Sequence, residues 1–531
     1  MRFRNIYPAF LSACLFLSCQ LAFAQNELGI LLNSEEAFPS YTLYDTFQDA
    51  FLIDNCGRLV HSWEGLGYIS HHPKLLPNGN LIYINDRFTV RELDWDGNVV
   101  NEARHEDANL SIEYEVIVLP NENYLCVGRR NLNQQGFIAL GYNWDGTTSP
   151  NVTDVVVEMD RETGDILWEW NIKDHVIQQR DPDANNYGIL SENPGLLNLD
   201  AISKADWNNH ESFMINSMDY NPELDQIAIS VRKMSEICII DHSTTTEEAA
   251  GSTGDNSGRG GDILYRWGNP QNYGRGDSTD QQLFLQHNPN WITEGPHTGK
   301  IIVYDNGYFR PVDQGEPYST VPIIELPTDG NGNYLLAADE PFEPADPTLR
   351  YSRPETNTQF FSAYTSGAEV LPNGNVYITE GVIGRLMELN AQGEVVWMYR
   401  VPYASYIYRT EKYPLDYPAF TGRDLMPGDA DPLATSTYDC MLVSSTDAPA
   451  DETVVTVFYQ PTNEQIRVQQ ELGESLEWIL YNAHGQLLAQ GKSAAAQTDI
   501  SLRGYPTGLY LVSLRGERTR SQMSRKIVKY H

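Results

Sequence analysis

Positive charge is scarce in this 531-residue chain: 36 Lys and Arg stand against 72 Asp and Glu, a formal net charge of −36. Contact with phosphates needs a basic surface, so the imbalance excludes a nucleic-acid partner. After the N-terminus no segment approaches the ~20 apolar residues that a membrane-crossing helix requires. Long stretches with helical periodicity are missing too. With Gly, Pro, Asn, Asp, Tyr and Trp plentiful, that absence predicts an all-β protein. Cysteine is sparse, at six, and neither a CxxC pair nor a His-x-x-x-His spacing occurs, so no zinc site is predicted. DGNGN at 329–333 lacks the further acidic ligands of a calcium loop and reads as a turn.

What is present begins with an export signal over residues 1–24. Arg2 and Arg4 form a positive start, residues 8–19 are largely apolar, and Ala22-Phe23-Ala24 offers a small-x-small cleavage site. The lipobox-like Leu11-Ser12-Ala13-Cys14 is the rival reading. Cys14 and Cys19 leave with such a signal, so Cys56, Cys126, Cys238 and Cys440 remain. Cys126 and Cys238 sit in apolar strand-like runs and read as buried core thiols. Cys56 and Cys440 lie near the two ends of the repeat region and are the candidate disulfide pair, although connectivity is not encoded locally.

Internal repeats are the strongest structural signal. One unit is an apolar run around a turn: KLLPNGNLIYI, IVLPNENYLCVG, DYNPELDQIAISVR, IIELPTDGNGNYLLAAD and EVLPNGNVYITEG. Asn-Gly and its relatives between β-rich runs predict hairpins. A second unit follows each, as in VEMDRETGDILWEW and LMELNAQGEVVWMY, often closed by an aromatic residue. Two hairpins make the four strands of one propeller blade. Closing positions near Trp63, Val100, Trp168, Trp267, Tyr334 and Trp397 predict six blades over residues 25–443, a count open by one, with long insertions between some of them. A β-sandwich array shares the turn signals but not the paired repeat.

Residues 444–455, which include SSTDAPADET, have the small, polar, acidic texture of a linker. Beyond them, residues 456–531 read as six or seven short strands, predicted to form a small β-sandwich. Seven basic residues from Arg503 to Lys529 face the single acid Glu517, so this end is a module of its own. YQPTNEQIRV, YNAHGQLL, YPTGLYLV and RKIVKY follow, in order, the pattern of the C-terminal sorting domain of the Bacteroidetes type IX secretion system, which this segment resembles. That resemblance implies the type IX machinery as a partner and a secreted or cell-surface protein.

A propeller brings one strand of every blade to a single axis, where residues distant in sequence meet. Of eleven histidines, His61 and His242 read as strand-end packing residues, and His105, His175 and His297 as polar-loop residues. His71 and His72, directly before an LPNGN unit, and His287 in FLQHNPNW are placed to face the axis.

The segment from DWNNHESFMINSMDYNPELDQIAISVRKMSEICIIDH, with GGDILYRWGNP, FLQHNPNW and VYDNG, resembles the arylsulfotransferase (aryl-sulfate sulfotransferase) family over roughly residues 28–440. The resemblance implies an exported six-bladed propeller that moves a sulfuryl group from one phenolic ester to another phenol, with no nucleotide donor and no cofactor. It implies His287 as the nucleophile that becomes transiently sulfated, with Asn216 and Arg232 holding the sulfuryl oxygens. A neutral imidazole splits such a transfer into two displacements, and a planar guanidinium suits the oxygens. The rival role for Arg232 is a structural ion pair with a channel carboxylate. Arg310, closing YDNGYFR, is a second candidate oxyanion partner.

The chain departs from the family pattern at two expected histidines. Met214 stands two residues before Asn216, with His210 a short loop away, and Glu113-Tyr114-Glu115 precedes IVLPNEN. His71, His72, Tyr114 and His210 are the candidate substitutes. Two functions are therefore carried forward: a sulfotransferase acting on a small phenolic donor and acceptor, and a propeller that binds an extracellular ligand or glycan without catalysis. The retained His287, Asn216 and Arg232 favour the enzyme.

Overall fold

The computed structural model describes residues 28–46, 48–67, 72–144, 150–202, 212–311, 317–329, 332–352, 360–402, 406–423, 425–428, 433–436, 440, 455–460, 464–470, 475–482, 487–506, 508–516 and 522–529. The predicted export signal and nearly all of the predicted linker lie outside these residues. The chain divides into two compact units, Met1–Ser436 and Thr437–His531.

Among the described residues of the first unit, six antiparallel sheets of four or five strands follow one another. Sheet 1 is Ser40–Asp45, Ala50–Asp54 and Leu59–Trp63, and sheet 2 runs from Lys74–Leu75 to Val99–Arg104. Sheet 3 runs from Leu110–Val118 to Ile166–Asn171, and sheet 4 from Ile215–Asn221 to Tyr265–Trp267. Sheet 5 runs from His287–Trp291 to Leu349–Tyr351, and sheet 6 from Gly367–Val370 to Val395–Arg400. The late strand Glu411–Pro414 pairs with Ser40–Asp45, and the early strand Gly29–Asn33 pairs with Val395–Arg400. Both ends of the unit are thus stitched to the opposite end of its sequence.

Period-2 alternation explains how the sheets stack. In sheet 5, Ile301 and Val303 pack towards Ile237 and Ile239 of sheet 4, while Ile302 and Tyr304 pack towards Val376 and Ile378 of sheet 6. In sheet 2, Leu81 and Tyr83 face sheet 1, and Ile82 and Ile84 face sheet 3. Strands covered on both faces read as continuous apolar runs, as Gln226–Val231 and Glu236–Asp241 do. Each fully buried Leu or Ile contributes about 1.5–3 kcal/mol of transfer free energy.

The LPNGN turns form as their sequence predicts. Gly79 and Gly374 take φ of 90° and 86°, and their N–H groups donate to Leu76 and Leu371 carbonyls at 2.8 Å each. IVLPNEN builds the same turn with Glu122 at φ 69°, a left-handed position glycine would hold with less strain. The closing tryptophans also have a physical role. The indole of Trp63 donates to Asp94 O (3.1 Å), Trp168 to Thr244 Oγ1 (3.0 Å), Trp267 to Pro344 O (2.7 Å) and Trp397 to Asn55 O (2.8 Å). Each ties its sheet to the neighbouring one, the first three from an outer strand and Trp397 from the strand inside Gly29–Asn33.

Tyr334 departs from the expectation. It lies in the connection between Val321–Ile324 and Leu349–Tyr351, in an isolated bridge with Thr328, and its hydroxyl donates to Gln226 at 2.7 Å. The insertion carries its own turn residues, which imitate a blade hairpin. His105 and His175 are not polar-loop residues either. Both are buried, and His175 stacks on Trp170 and bonds Asp262 (3.0 Å) and Ala249 O (2.7 Å).

The second unit holds a three-stranded sheet (455–460, 465–470, 497–501) and a four-stranded sheet (476–482, 487–493, 508–516, 522–529). Ile466, Val468 and Ile500 of the first share one apolar cluster with Leu480, Val512 and Leu514 of the second. Among the described residues no helix is long and apolar enough to cross a membrane.

Candidate functional site

The edge strands of all six sheets of the first unit converge on one cavity of about 270 Å³, to which Lys74, Glu115, Asp219, Asn290, Glu369 and Glu411 each bring a side chain from a different sheet. Bulges re-aim three of these strands. Register shifts fall between Cys126 and Gly128 opposite Glu113–Glu115, between Ile215 and Ser217, and between His287 and Asn290. Tyr114, Met214 and Asn288 take φ of 67°, 61° and 57° there. Such bulges and left-handed residues gather next to working sites because they turn side chains out of the pleat. Buried Asp154 holds the strained Met214 in place, accepting from the N–H groups of Phe213, Met214 and Ile215 at 3.1, 3.0 and 3.1 Å.

His287 opens the edge strand of sheet 5 and is buried. Its Nδ1 lies 2.7 Å from Asn306 Oδ1, and its Nε2 lies 3.2 Å from the Thr365 N–H. Asn216, fully buried, braces the same segment: Nδ2 donates to Gln286 O at 2.9 Å, while Oδ1 accepts from Ser217 Oγ at 2.9 Å. An amide nitrogen carries two N–H donors, so Gln286 takes one of the pair.

Tyr408 joins these groups. Its hydroxyl donates to Asn216 O, and its ring lies 6.2 Å from that of His287 and 5.9 Å from that of Tyr114. Burial pushes the Tyr408 phenol well above its ordinary value, so it stays a donor. Arg232 is buried on the turn after the second strand of sheet 4 and reaches the cluster through Met214, to whose carbonyl its N–H donates at 3.1 Å and whose Sδ lies 3.8 Å from Nη1. Arg129 donates to the Tyr114 hydroxyl at 2.5 Å and pairs with Glu113 at 3.0 Å. Tyr408 thus touches His287, Asn216 and Tyr114, while Arg232 touches Met214, two residues before Asn216.

The other expected residues go elsewhere. His72 is buried, with Nε2 2.9 Å from Glu411 Oε1. Burial above all lowers the pKa of His72, against the pull of Glu411, and, against its own burial, Glu411 is held below the ordinary carboxylate range by His72 and Lys74. Arg310 pairs with buried Asp305 and lies over the rings of Phe284 and Tyr318 at 4.6 and 4.9 Å. Its charge is spent on Asp305. His71 and His210 lie outside the described residues. Cys56 and Cys440 are each disulfide-bonded, and Cys126 and Cys238 are free and buried.

The cavity is charged. Glu115 pairs with Lys74 at 2.6 Å and with Arg409; burial works to raise its pKa, but Arg409 and Lys74 outweigh burial and hold it below the ordinary range. Burial raises Asp219 to about 6 and Glu369, also repelled by Glu411, to about 8. Trp291 N–H donates to Asp219 at 2.7 Å and Lys412 N–H to Glu369 at 3.1 Å. Among the described residues no three His, Cys, Asp or Glu side chains gather to hold a metal ion.

Asn306 of VYDNG, Thr365, Tyr408 and Arg409 have no role among the sequence expectations. Asn306 was findable as the polar residue ending a buried strand run. The others sit in loops without a local signature.

Six sheets thus bring charged side chains to one cavity, and His287 is buried one residue before Asn288, which lines it. A family model described as Arylsulfotransferase (ASST) matches residues 18–396, and one described as the Secretion system C-terminal sorting domain matches residues 456–530. The chain belongs to the arylsulfotransferase family and carries a sorting domain for type IX secretion, which directs it to the cell surface or outside the cell. No curated protein matches it. Among solved structures it is similar to Hsv2 of Kluyveromyces lactis (9% identity, TM-score 0.32, covering 73% of this chain and 98% of that one). It is also similar to the Dos1 propeller (8%, 0.29, 95% and 95%) and to PorZ of the type IX secretion system of Porphyromonas gingivalis (9%, 0.18, 92% and 75%). At these identities nothing about chemistry transfers from them.

Proposed function

We propose that the protein is an exported aryl-sulfate sulfotransferase that moves a sulfuryl group between small phenolic compounds through sulfated His287, without a nucleotide donor or cofactor. In this reading residues 1–24 are the export signal, the six sheets are the blades of a propeller spanning 25–443, residues 444–455 link it to the sorting domain, and residues 456–531 form a small sandwich. The observation that supports it is that Asn216 braces the residue before His287 through Gln286 O, on bulged edge strands whose Met214 also touches Arg232.

Once the Thr365 N–H releases the Nε2 lone pair of His287, Nε2 attacks sulfur, the N–S bond forms as the aryl O–S bond breaks, and the phenolate leaves with the electron pair. Arg232 and the second N–H of Asn216 hold the sulfuryl oxygens as charge shifts among them. Met214 and Tyr114 fill the positions of the family's accessory histidines, which suits donors whose phenolate leaves without a proton. Burial of donor and acceptor rings against Tyr408 and Tyr114 supplies the aryl preference.

The test is release of nitrophenol from 4-nitrophenyl sulfate by the mature protein, with and without a phenol acceptor. Release that depends on acceptor and disappears in His287→Ala supports transfer, and equal rates in the variant sink it. A binding propeller is the second reading, favoured by the charged axial cavity. It gains if no donor is turned over while small ligands raise the melting temperature.

A further inference from the structure

We propose that Asn306 is a positioning residue of the transfer, fixing which nitrogen of His287 attacks and keeping the sulfated ring easy to discharge. The inference rests on the sulfotransferase reading above. Asn306 is fully buried in the turn that ends the second strand of sheet 5. Its Nδ2 donates to Ser362 O at 2.7 Å and to Thr365 O at 3.0 Å. Both amide hydrogens are committed to carbonyls, so the amide is locked and its oxygen faces His287 Nδ1 at 2.7 Å. A carbonyl oxygen only accepts, which puts the hydrogen on Nδ1 and the lone pair on Nε2. The Thr365 N–H, 3.2 Å from Nε2, requires the same lone pair. Two bonds from different segments therefore assign one tautomer.

The neutrality of this partner matters as much as its place. The neighbouring carboxylate, Asp305, is occupied by Arg310 and by the Phe284 N–H at 2.7 Å. The other titratable groups around the site are Tyr408 and Arg409 before the edge strand of sheet 1, Arg232 from sheet 4 and Tyr114 from sheet 3. After the first displacement the ring carries sulfur on Nε2, hydrogen on Nδ1 and a positive charge. In the second, an acceptor phenol that has lost its proton to solvent attacks sulfur, the new O–S bond forms, the N–S bond breaks, and the electron pair returns to Nε2. While Nδ1 keeps its hydrogen, the departing group is neutral imidazole. A carboxylate in place of the amide would draw that proton away and make the departing group resemble imidazolate, a far poorer leaving group. An amide oxygen is too weak a base to do so.

The experiment compares wild type, Asn306→Asp and Asn306→Ala in the mature full-length protein. Imidazole ¹⁵N shifts of the resting enzyme, assigned by loss of the His287 signals in His287→Ala, are expected to show hydrogen on Nδ1 in wild type and a mixture of tautomers in Asn306→Ala. Intact mass after exposure to 4-nitrophenyl sulfate is expected to show a sulfated Asn306→Asp enzyme that persists when phenol is added, where wild type discharges. Its kcat falls about 10- to 100-fold, the scale of losing an outer partner of a working histidine, and the acid limb of its pH profile moves to higher pH because a carboxylate favours imidazolium. Asn306→Ala loses kcat without accumulating sulfated protein. Hydrogen on Nε2 in wild type, or wild-type discharge and pH profile in Asn306→Asp, overturns the proposal. The shifts need no substrate, so the tautomer assignment stands or falls even if the protein transfers no sulfate, the outcome that would sink the functional reading instead.

Discussion

The same edge strands carry two chemistries a few residues apart. Around His287 the partners include neutral and aromatic groups, namely Asn306, the Thr365 N–H and Tyr408. Four residues on from Thr365 comes Glu369, and five on from Met214 comes Asp219, both lining the charged cavity. A nucleophilic imidazole must stay neutral, and adjacent carboxylates would hold a proton on it. Carboxylates are tolerated further along because Lys74 and Arg409 neutralise Glu115, and because Asp219 and Glu369 titrate upward. Arg409 sits at the joint, next in sequence to Tyr408.

The two ends separate under substitution. Arg409→Met leaves buried Glu115 with Lys74 alone and is expected to cost about 3–5 kcal/mol, as breaking a buried pair does, measured by urea unfolding. Equal stability would mean the cavity network is not a unit. At the His287 end, Arg232→Ala should lower kcat/KM about 10²- to 10³-fold, as removal of an oxyanion donor does, with little change in the urea midpoint. Arg232→Lys should recover little, because an ammonium lacks the planar fork; full recovery would reduce Arg232 to a point charge.

Met214→His tests the accessory position. Histidine is enriched among non-glycine residues at positive φ, so it fits the backbone at 61°. Transfer from a poor donor such as phenyl sulfate should rise about tenfold or more if the new imidazole protonates the leaving phenolate, while 4-nitrophenyl sulfate gains less. Equal gains on both donors would rule out proton transfer.

The last effect is electrostatic and depends on pH. Folded Glu369 titrates at about 8, against ~4.3 in an unfolded chain. Between those values the folded protein holds a proton that the unfolded chain has released, so this group's contribution to stability falls as pH rises through the window. Glu369→Gln should melt like wild type near pH 4 and progressively above it towards pH 8. A difference independent of pH would mean Glu369 is already solvated.

The hairpins were legible because Asn-Gly turns and alternating apolar residues act locally, and the motifs around His287, Asn216 and Arg232 are what single those residues out. Tyr334 misled because turn residues in an insertion look like those of a blade, and only pairing tells them apart. His175 carries no local mark of burial, since its partners Ala249 and Asp262 lie 74 and 87 residues away. Asn306 was invisible as a partner of His287 for the same reason: the carbonyls that lock its amide lie 56 and 59 residues on.

By itself, the sequence determined the strand repeats, the family and the sorting tail, all properties of short segments read in order. The tertiary structure decided that Asn306 and Thr365 meet the two nitrogens of His287 and that Arg310 is spent on Asp305 while Arg232 reaches Met214. It also decided that acids and bases from all six sheets share one cavity. These depend on groups that become neighbours only when the edge strands converge, and hydrogen-bond direction and desolvation exist only between neighbours in space.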